Sequence, residues 1–277
     1  MNSSEEYIVT KFKGDKLELE KVSSLSLFLY PKLLVIQALD DENRVLGINL
    51  YTYQTETELE GIVQSDEFIQ SQNTLGRLYV HQERFCLVPT ALFDPTQKNT
   101  YLKFSQNLDV ASCEVFYQGV HQNSIQVLGS APKDVLGFLD NSIPELEVQH
   151  GAAMHLDFLM DQAEGGTQQD LYASIIPDNV YFGAFRSGGL ELFNLFRVGN
   201  EKEFLKYALA TIQQLGFNRS STKLTVLGDL SYIGCSREGL EPYFQEIAVK
   251  TPEEKVLYYP GAESFKNTGL LEASWSL

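Results

Sequence analysis

Apolar side chains recur at every second position through "LSLFLYPKLLVIQAL" (Leu25 to Leu39), interrupted only at Pro31-Lys32. A period of two broken by a proline turn predicts two strands joined as a hairpin. The stretch "LYASIIPDNVYFGAF" (Leu171 to Phe185) carries the same pattern and overlays the first without a gap. Pro31 falls on Pro177, and 177 minus 31 is 146. Leu25, Leu27 and Leu29 then fall on Leu171, Ala173 and Ile175, the inward set of a strand, and Ala38 falls on Ala184. The polar turns that follow, "DDENR" and "RSGG", differ by one residue, so the offset drops to 145. Under it "VLGINLY" (Val45 to Tyr51) overlays "LELFNLF" (Leu190 to Phe196), which implies a third strand in each copy. Helix starts come next: Thr55 with Glu58, and Asn200 with Glu203, each a cap residue with a glutamate three positions on. Leu59, Ile62 and Val63 fall on Phe204, Tyr207 and Ala208, one stripe facing a sheet, and the second helix stops at Gly216.

The apolar run "KLTVLGDL" (Lys223 to Leu230) suits a buried parallel strand, and "REGLEPYFQEIAV" (Arg237 to Val249) reads as a helix after it. In the first half "SIQVLGSAP" supplies a strand, "PKDVLGFLD" a helix and "LEVQH" another strand. The expected fold is a duplicated α/β arrangement, β-β-β-α-β-α in each copy, forming two lobes with a cleft. Residues 1–160 form the first lobe and 170–277 the second, divided near "DQAEGGTQQD" (Asp161 to Asp170). The segment from about 73 to 117 has no counterpart in the second half and reads as an insertion, broken by Pro89 and Pro95. "NTGLLEASWSL" at the end is apolar enough to pack on the second lobe, as helix or strand.

Charge changes the picture more than composition does. With 277 residues and a net charge of -16, the chain repels phosphate backbones, and Lys11, Lys13 and Lys16 are its densest basic stretch. Nucleic acid is excluded as a partner. Cys86, Cys113 and Cys235 are odd in number, widely spaced and set among apolar or small residues, which suits reduced thiols in a cytoplasmic location. The first residues lack the apolar core of a signal peptide, and no stretch is long enough to span a membrane.

The duplicated unit resembles the actin, sugar-kinase and heat-shock-ATPase superfamily, which shares part of its topology with ribonuclease H, and more narrowly the actin-like proteins of bacterial cell division and type IV pilus assembly. "FCLVPTALFD", "YLKF", "SAPKDVLGFL" and "LTVLGDL" together are similar to a bacterial family of unknown function numbered 3822, whose fold is regarded as actin-like. The superfamily resemblance implies phosphate contacts from two Asp-x-Gly hairpin turns. Glycine there admits the phosphate to the backbone N–H groups, and aspartate organises metal and water. The first turn maps onto Phe28-Leu29-Tyr30 and the second onto Ser174-Ile175-Ile176, so neither keeps the aspartate or the glycine. The adenine-side glycine pair maps onto Gly228-Asp229, of which half remains.

Asp178, just past the second turn, is a candidate displaced metal ligand, with a solvated turn residue the favoured reading; Asp229 is read as a cap for the next turn. His150, His155 and Asp157 form a weak metal hypothesis, because a five-residue spacing turns the two imidazoles apart on a helix. They are read instead as helix-start and packing residues. His81 and His121 lie in polar segments and are expected to be exposed. A ribonuclease-H-like nuclease needs metal-binding carboxylates on its first strand, and "LSLFLY" has none. The expected function is a non-catalytic binding or scaffolding module with no cofactor and an unidentified protein partner. The alternative is an ATPase or small-molecule kinase using ATP with magnesium near Gly228, Asp229 and Asp178. Tyr30 and Ile176 are expected to fill the place a nucleotide would take, and the sequence leaves the oligomeric state open.

Overall fold

The computed structural model describes residues 8–71, 75–105, 109, 111–166, 168–251, 256–270 and 272–274. Its chain divides into two units: Met1–Gly151 with Glu254–Thr268 and Glu272–Leu277, and Ala152–Glu253 with Gly269–Leu271.

The first unit opens with β1 (Ile8–Lys13), β2 (Ser24–Tyr30), β3 (Leu33–Leu39), β4 (Arg44–Thr52), α1 (Glu56–Ser65) and β5 (Leu75–Val80). It continues with β6 (Phe85–Pro89), α2 (Lys98–Ser105), β7 (Cys113–Val120), β8 (Ile125–Pro132), α3 (Lys133–Ser142) and β9 (Glu147–His150). The main sheet runs β1-β4-β3-β2-β5-β9, and the inserted segment contributes β6 and β7 to a separate sheet, β6-β8-β7, with α2 packed on it. Leu25, Leu27 and Leu29 of β2 and Leu34, Ile36 and Ala38 of β3 meet Ile62 of α1 and Leu139 of α3 in one core. Each such leucine or isoleucine contributes about 1.5–3 kcal/mol on full burial.

The second unit consists of α4 (Gly151–Ala163), β10 (Gln169–Ile176), β11 (Asn179–Arg186), β12 (Gly189–Arg197), α5 (Glu201–Gln214), β13 (Thr222–Leu227), α6 (Arg237–Leu240) and β14 (Glu246–Lys250). Its sheet order, β12-β11-β10-β13-β14, repeats β4-β3-β2-β5-β9 of the first. Phe182 packs towards Phe204 of α5, whereas Tyr181 stacks on His155 of α4, so both faces are covered. That two-sided burial explains the near-continuous apolar runs of β10 and β11.

The duplication extends to detail. Tyr30 pairs with Leu33, and Ile176 with Asn179, at the two hairpin tips. A register shift interrupts the next ladder between Ala38 and Leu39 in one copy and between Ala184 and Phe185 in the other. Both capping boxes form: the Glu58 N–H donates to Thr55 Oγ1 at 3.2 Å and Glu58 Oε2 accepts from the Gln54 N–H. Asn200 and Glu203 do the same, with Gly199 in place of Gln54.

Two expectations fail, and β1 is an element that the pattern did not predict. β1 is not apparent in the sequence as a strand; its Lys11 and Lys13 meet Glu67 at 2.9 and 3.3 Å. The helix expected over Arg237 to Val249 ends at Leu240, because Pro242 supplies no N–H, and Ile247 and Val249 pair with Leu224 and Val226 of β13 instead. His81 is 2% exposed, not solvated. The C-terminal segment returns as β15 (Leu257–Tyr258), parallel to β4, and 3-10 turns over Ala262–Thr268 and Glu272–Ser274; Trp275 lies outside the described residues. Among the described residues no helix is long and apolar enough to cross a membrane.

Candidate functional site

In an open α/β sheet, ligands bind beyond the carboxyl ends of the parallel strands. Those ends are the β2–β3 turn in the first unit and the β10–β11 and β13 turns in the second.

At the first turn, rings fill the aspartate and glycine positions. Phe28 is 1% exposed and stacks on Tyr79 of β5, with centroids 5.1 Å apart. Tyr30 is 2% exposed and stacks on His81 at 4.5 Å, while the Tyr53 hydroxyl donates to the Tyr30 carbonyl. The backbone is also closed: the His81 N–H donates to Leu29 O at 2.8 Å and the Tyr53 N–H to Lys32 O at 3.1 Å. Burial, reinforced by the negative charge of Glu56, pushes the Tyr53 phenol far up, so it stays a neutral donor.

At the second turn Ser174 and Ile176 are buried, and Ser174 Oγ lies 2.9 Å from His155 Nδ1. Asp178 sits at the tip, exposed, with φ at 59°. Its carbonyl accepts from the Val198 N–H at 3.1 Å, the bond that Lys32 makes with Tyr53 in the first copy. Asp178 thus has a lysine as its duplicate, and what both positions supply is a carbonyl.

At the third turn Gly228 has φ of 100°, a conformation that favours glycine. Asp229 Oδ1 accepts from the Ser231 N–H at 2.8 Å and caps a 3-10 turn over Leu230–Ile233. Gly269 lies directly over this turn: a Cβ on it would fall 2.9 Å from the Tyr232 ring and 3.3 Å from Asp229 Cβ. A segment of the chain itself therefore covers part of the adenine-side turn.

The remaining candidates have local duties. His150 ends β9, with Phe85 at 5.2 Å between ring centroids and Gly129 so close that a Cβ there would fall 2.4 Å from the imidazole. His155 is held by Ser174 and Tyr181, and Asp157 is half-buried. His121, at the β7–β8 turn, is partly exposed with φ of 49°. Two cavities of the second unit lie at the amino ends of β10, β13 and β14. One, of about 310 Å³, is lined by Asn218, Arg219, Ser220 and Tyr243 among others, and one of about 510 Å³ by Gln168, Arg186, Ser187 and Glu246 among others. Arg186 beside the larger one is engaged by Glu191 and the Leu215 carbonyl. Nearby, burial pushes the Asp170 carboxyl up, with Lys223 opposing and Glu246 adding to the rise.

The profile of the family described as Protein of unknown function (DUF3822) matches residues 15–247. The chain belongs to that family. Among solved structures it is similar to a Bacteroides thetaiotaomicron protein with an actin-like ATPase fold and unknown function. That likeness has a TM-score of 0.73 at 18% identity and covers 83% of this chain and 91% of that one. It is also similar to the PilM-PilN type IV pilus biogenesis complex, with a TM-score of 0.52 at 10% identity over 92% of this chain and 96% of that one. No curated protein matches. These likenesses establish the fold, a duplicated actin-like ATPase fold.

Sequence mapping located all three turns but missed Tyr53, His81, His155 and Gly269, the groups that close them. Tyr53 falls on Val198 at the offset of 145, so the repeat carried a signal for the shared backbone bond, though not for the hydroxyl.

Proposed function

We propose that the protein is a non-catalytic member of the actin-like fold that works by binding another protein. The observation that carries this reading is the pair of stacked rings, Phe28 on Tyr79 and Tyr30 on His81, at the first phosphate turn. A phosphate group needs free N–H groups and open space beside the backbone. Here the space holds side chains, and the second turn holds the buried Ser174 and Ile176. A protein partner is supported by the net charge of -16, which disfavours nucleic acid, and by one neighbour of the same fold that occurs in a complex named for two proteins. The three free cysteines fit a cytoplasmic setting.

The competing reading, an ATPase or small-molecule kinase using ATP and magnesium, draws on Gly228, which keeps its positive φ. It requires Asp178 or Asp229 to hold the metal, and Asp229 is already engaged as a cap. Thermal unfolding with and without magnesium-ATP separates the two. A nucleotide present at about 100 times its Kd stabilises by about 2.7 kcal/mol, several degrees for a unit of this size. The binding-module reading expects no shift; a magnesium-dependent rise of that size refutes it.

A further inference from the structure

The duplicated sheets differ at one edge. In the first unit the outer edge of β4 is covered by β1, paired antiparallel from Lys13 with Gly47 to Ile8 with Thr52. At the offset of 145 the matching stretch of the second unit is Leu192–Arg197 of β12, and among the described residues β12 pairs with β11 alone. The repeat itself thus shows what this edge accepts, a short antiparallel strand.

β12 is an edge strand. Natural edge strands are blunted by shortness, proline, charged side chains, β-bulges or covering segments; β12 has its bulge and its acid at Glu191 and its base at Arg197, and the run from Leu192 to Phe196 between them carries none of these. β12 has nine residues, GLELFNLFR, with no proline and no lysine. The Leu195 N–H takes its acceptor from the neighbouring side chain, Asn194 Oδ1 at 2.9 Å, and not from a strand. An amide satisfied in that way faces away from β11, so the Leu195 N–H is directed outward.

We infer that β12 pairs antiparallel with β12 of a second copy of this chain, joining two five-stranded sheets across a two-fold axis at Asn194. Two copies are complementary in charge along this edge. Glu191 and Arg197 lie three residues either side of Asn194. With Asn194 on the axis, Glu191 meets Arg197 of the second copy, Leu192 meets Phe196 and Phe193 meets Leu195, each pair occurring twice. Odd positions meet odd positions, so outward amides face outward carbonyls. Glu191 is the extra residue at the register shift between Ala184 and Phe185, so the apolar run from Leu192 to Phe196 forms the ladder and the charged pairs close its ends. Copies carrying a net charge of -16 repel each other, and β12, with one acid and one base, is a stretch where they can meet. The inference stands whether or not a nucleotide binds.

Sedimentation velocity over a concentration series tests it. The expected result is a reversible dimer, twice the 31.2 kDa chain mass. Asn194 is exposed, so Asn194→Lys keeps the fold, checked by circular dichroism, and sets two ammonium groups across the axis, weakening the dimer about tenfold. Glu191 also pairs with Arg186 of its own chain at 3.0 Å, so the charge variants are built with Arg186→Met; on that background Glu191→Arg alone and Arg197→Glu alone each place like charges opposite one another and weaken the dimer. The double variant restores opposite charges and recovers the affinity, which a merely disruptive surface change does not do. A monomer at every concentration overturns the inference, as does a dimer indifferent to Asn194→Lys or a double variant no better than the single ones.

Discussion

Asp66 is the buried carboxylate whose role the structure defines most fully, and removing it has a calculable cost. It is 1% exposed. Oδ2 accepts from Asn49 Nδ2 and the Tyr51 hydroxyl, both at 2.7 Å, and Oδ1 accepts from the N–H groups of Phe68 at 2.9 Å and Ile69 at 3.1 Å. Asp66→Ala therefore removes the shared acceptor of four donors in a core that includes Phe68 and Ile69. A single stranded buried donor costs about 1–3 kcal/mol. The four share one acceptor group, so their costs do not add, and a loss near the top of that range, about 3 kcal/mol, is expected for the first unit. Asp66→Asn can keep Oδ1 for the two backbone donors but turns an amide onto Asn49 and Tyr51, for a loss of about 1–3 kcal/mol. Urea unfolding followed by circular dichroism measures both, with the transition of the first unit analysed on its own because two units need not unfold together. Tyr51→Phe removes one of the four donors, so adding it to Asp66→Ala costs less than the sum of the single changes, with a coupling of about 0.5–3 kcal/mol. A loss below about 1 kcal/mol for Asp66→Ala, with strict additivity, refutes the reasoning. The second copy offers a contrast: Asn194, the repeat partner of Asn49, is exposed, so Asn49→Ala is expected to cost more than Asn194→Ala.

Further outcomes follow from the same geometry. Thr55→Ala and Asn200→Ala each remove an N-cap acceptor and should each cost about 1 kcal/mol in chemical unfolding; an effect in one copy alone would refute their equivalence. Burial raises the Asp40 carboxyl, but the Arg44 backbone N–H and guanidinium, the Tyr259 hydroxyl and the Glu42 N–H outweigh it and hold the group below its ordinary value. A depressed carboxylate stabilises above its unfolded pKa of about 3.9 and loses that contribution as pH falls through the folded value. The stability margin over Asp40→Asn should thus be level near neutrality and shrink below about pH 4; a margin that grows on acidification contradicts it. Burial, reinforced by the Glu201 charge, pushes the Cys235 thiol up to about 11, so it should alkylate far more slowly than a free thiol at pH 8. Labelling at the rate of a small-molecule thiol would count against that.

The fold was legible because the repeat is written in positions that packing constrains. The inward leucines of β2 and β10, the capping boxes and the one-residue change of offset can all be read from the chain. What was illegible depends on contacts distant in sequence. β1 reads as a polar N-terminal stretch until β4 is there to pair with it. His81 sits among polar residues in the sequence, yet it is buried because Tyr30, 51 positions earlier, offers a ring to stack on. Periodicity carried the helix from Arg237 past Pro242, where the local rule against proline should have stopped it. At the turns the sequence shows neither aspartate nor glycine at the first two mapped positions, while the groups packed there come from β5 and the residue after it, from the segment after β4, from α4 and from the C-terminal segment, which no local pattern connects.

The central claim is that these turns no longer accept phosphate. Calorimetric titration of the full chain with ATP and with ADP, each with and without magnesium, tests it most directly. The account predicts no binding heat at millimolar nucleotide in any of the four titrations. Magnesium-dependent binding at micromolar Kd, lost on Asp229→Asn or Asp178→Asn, would contradict it and identify a nucleotide site built without the phosphate turns.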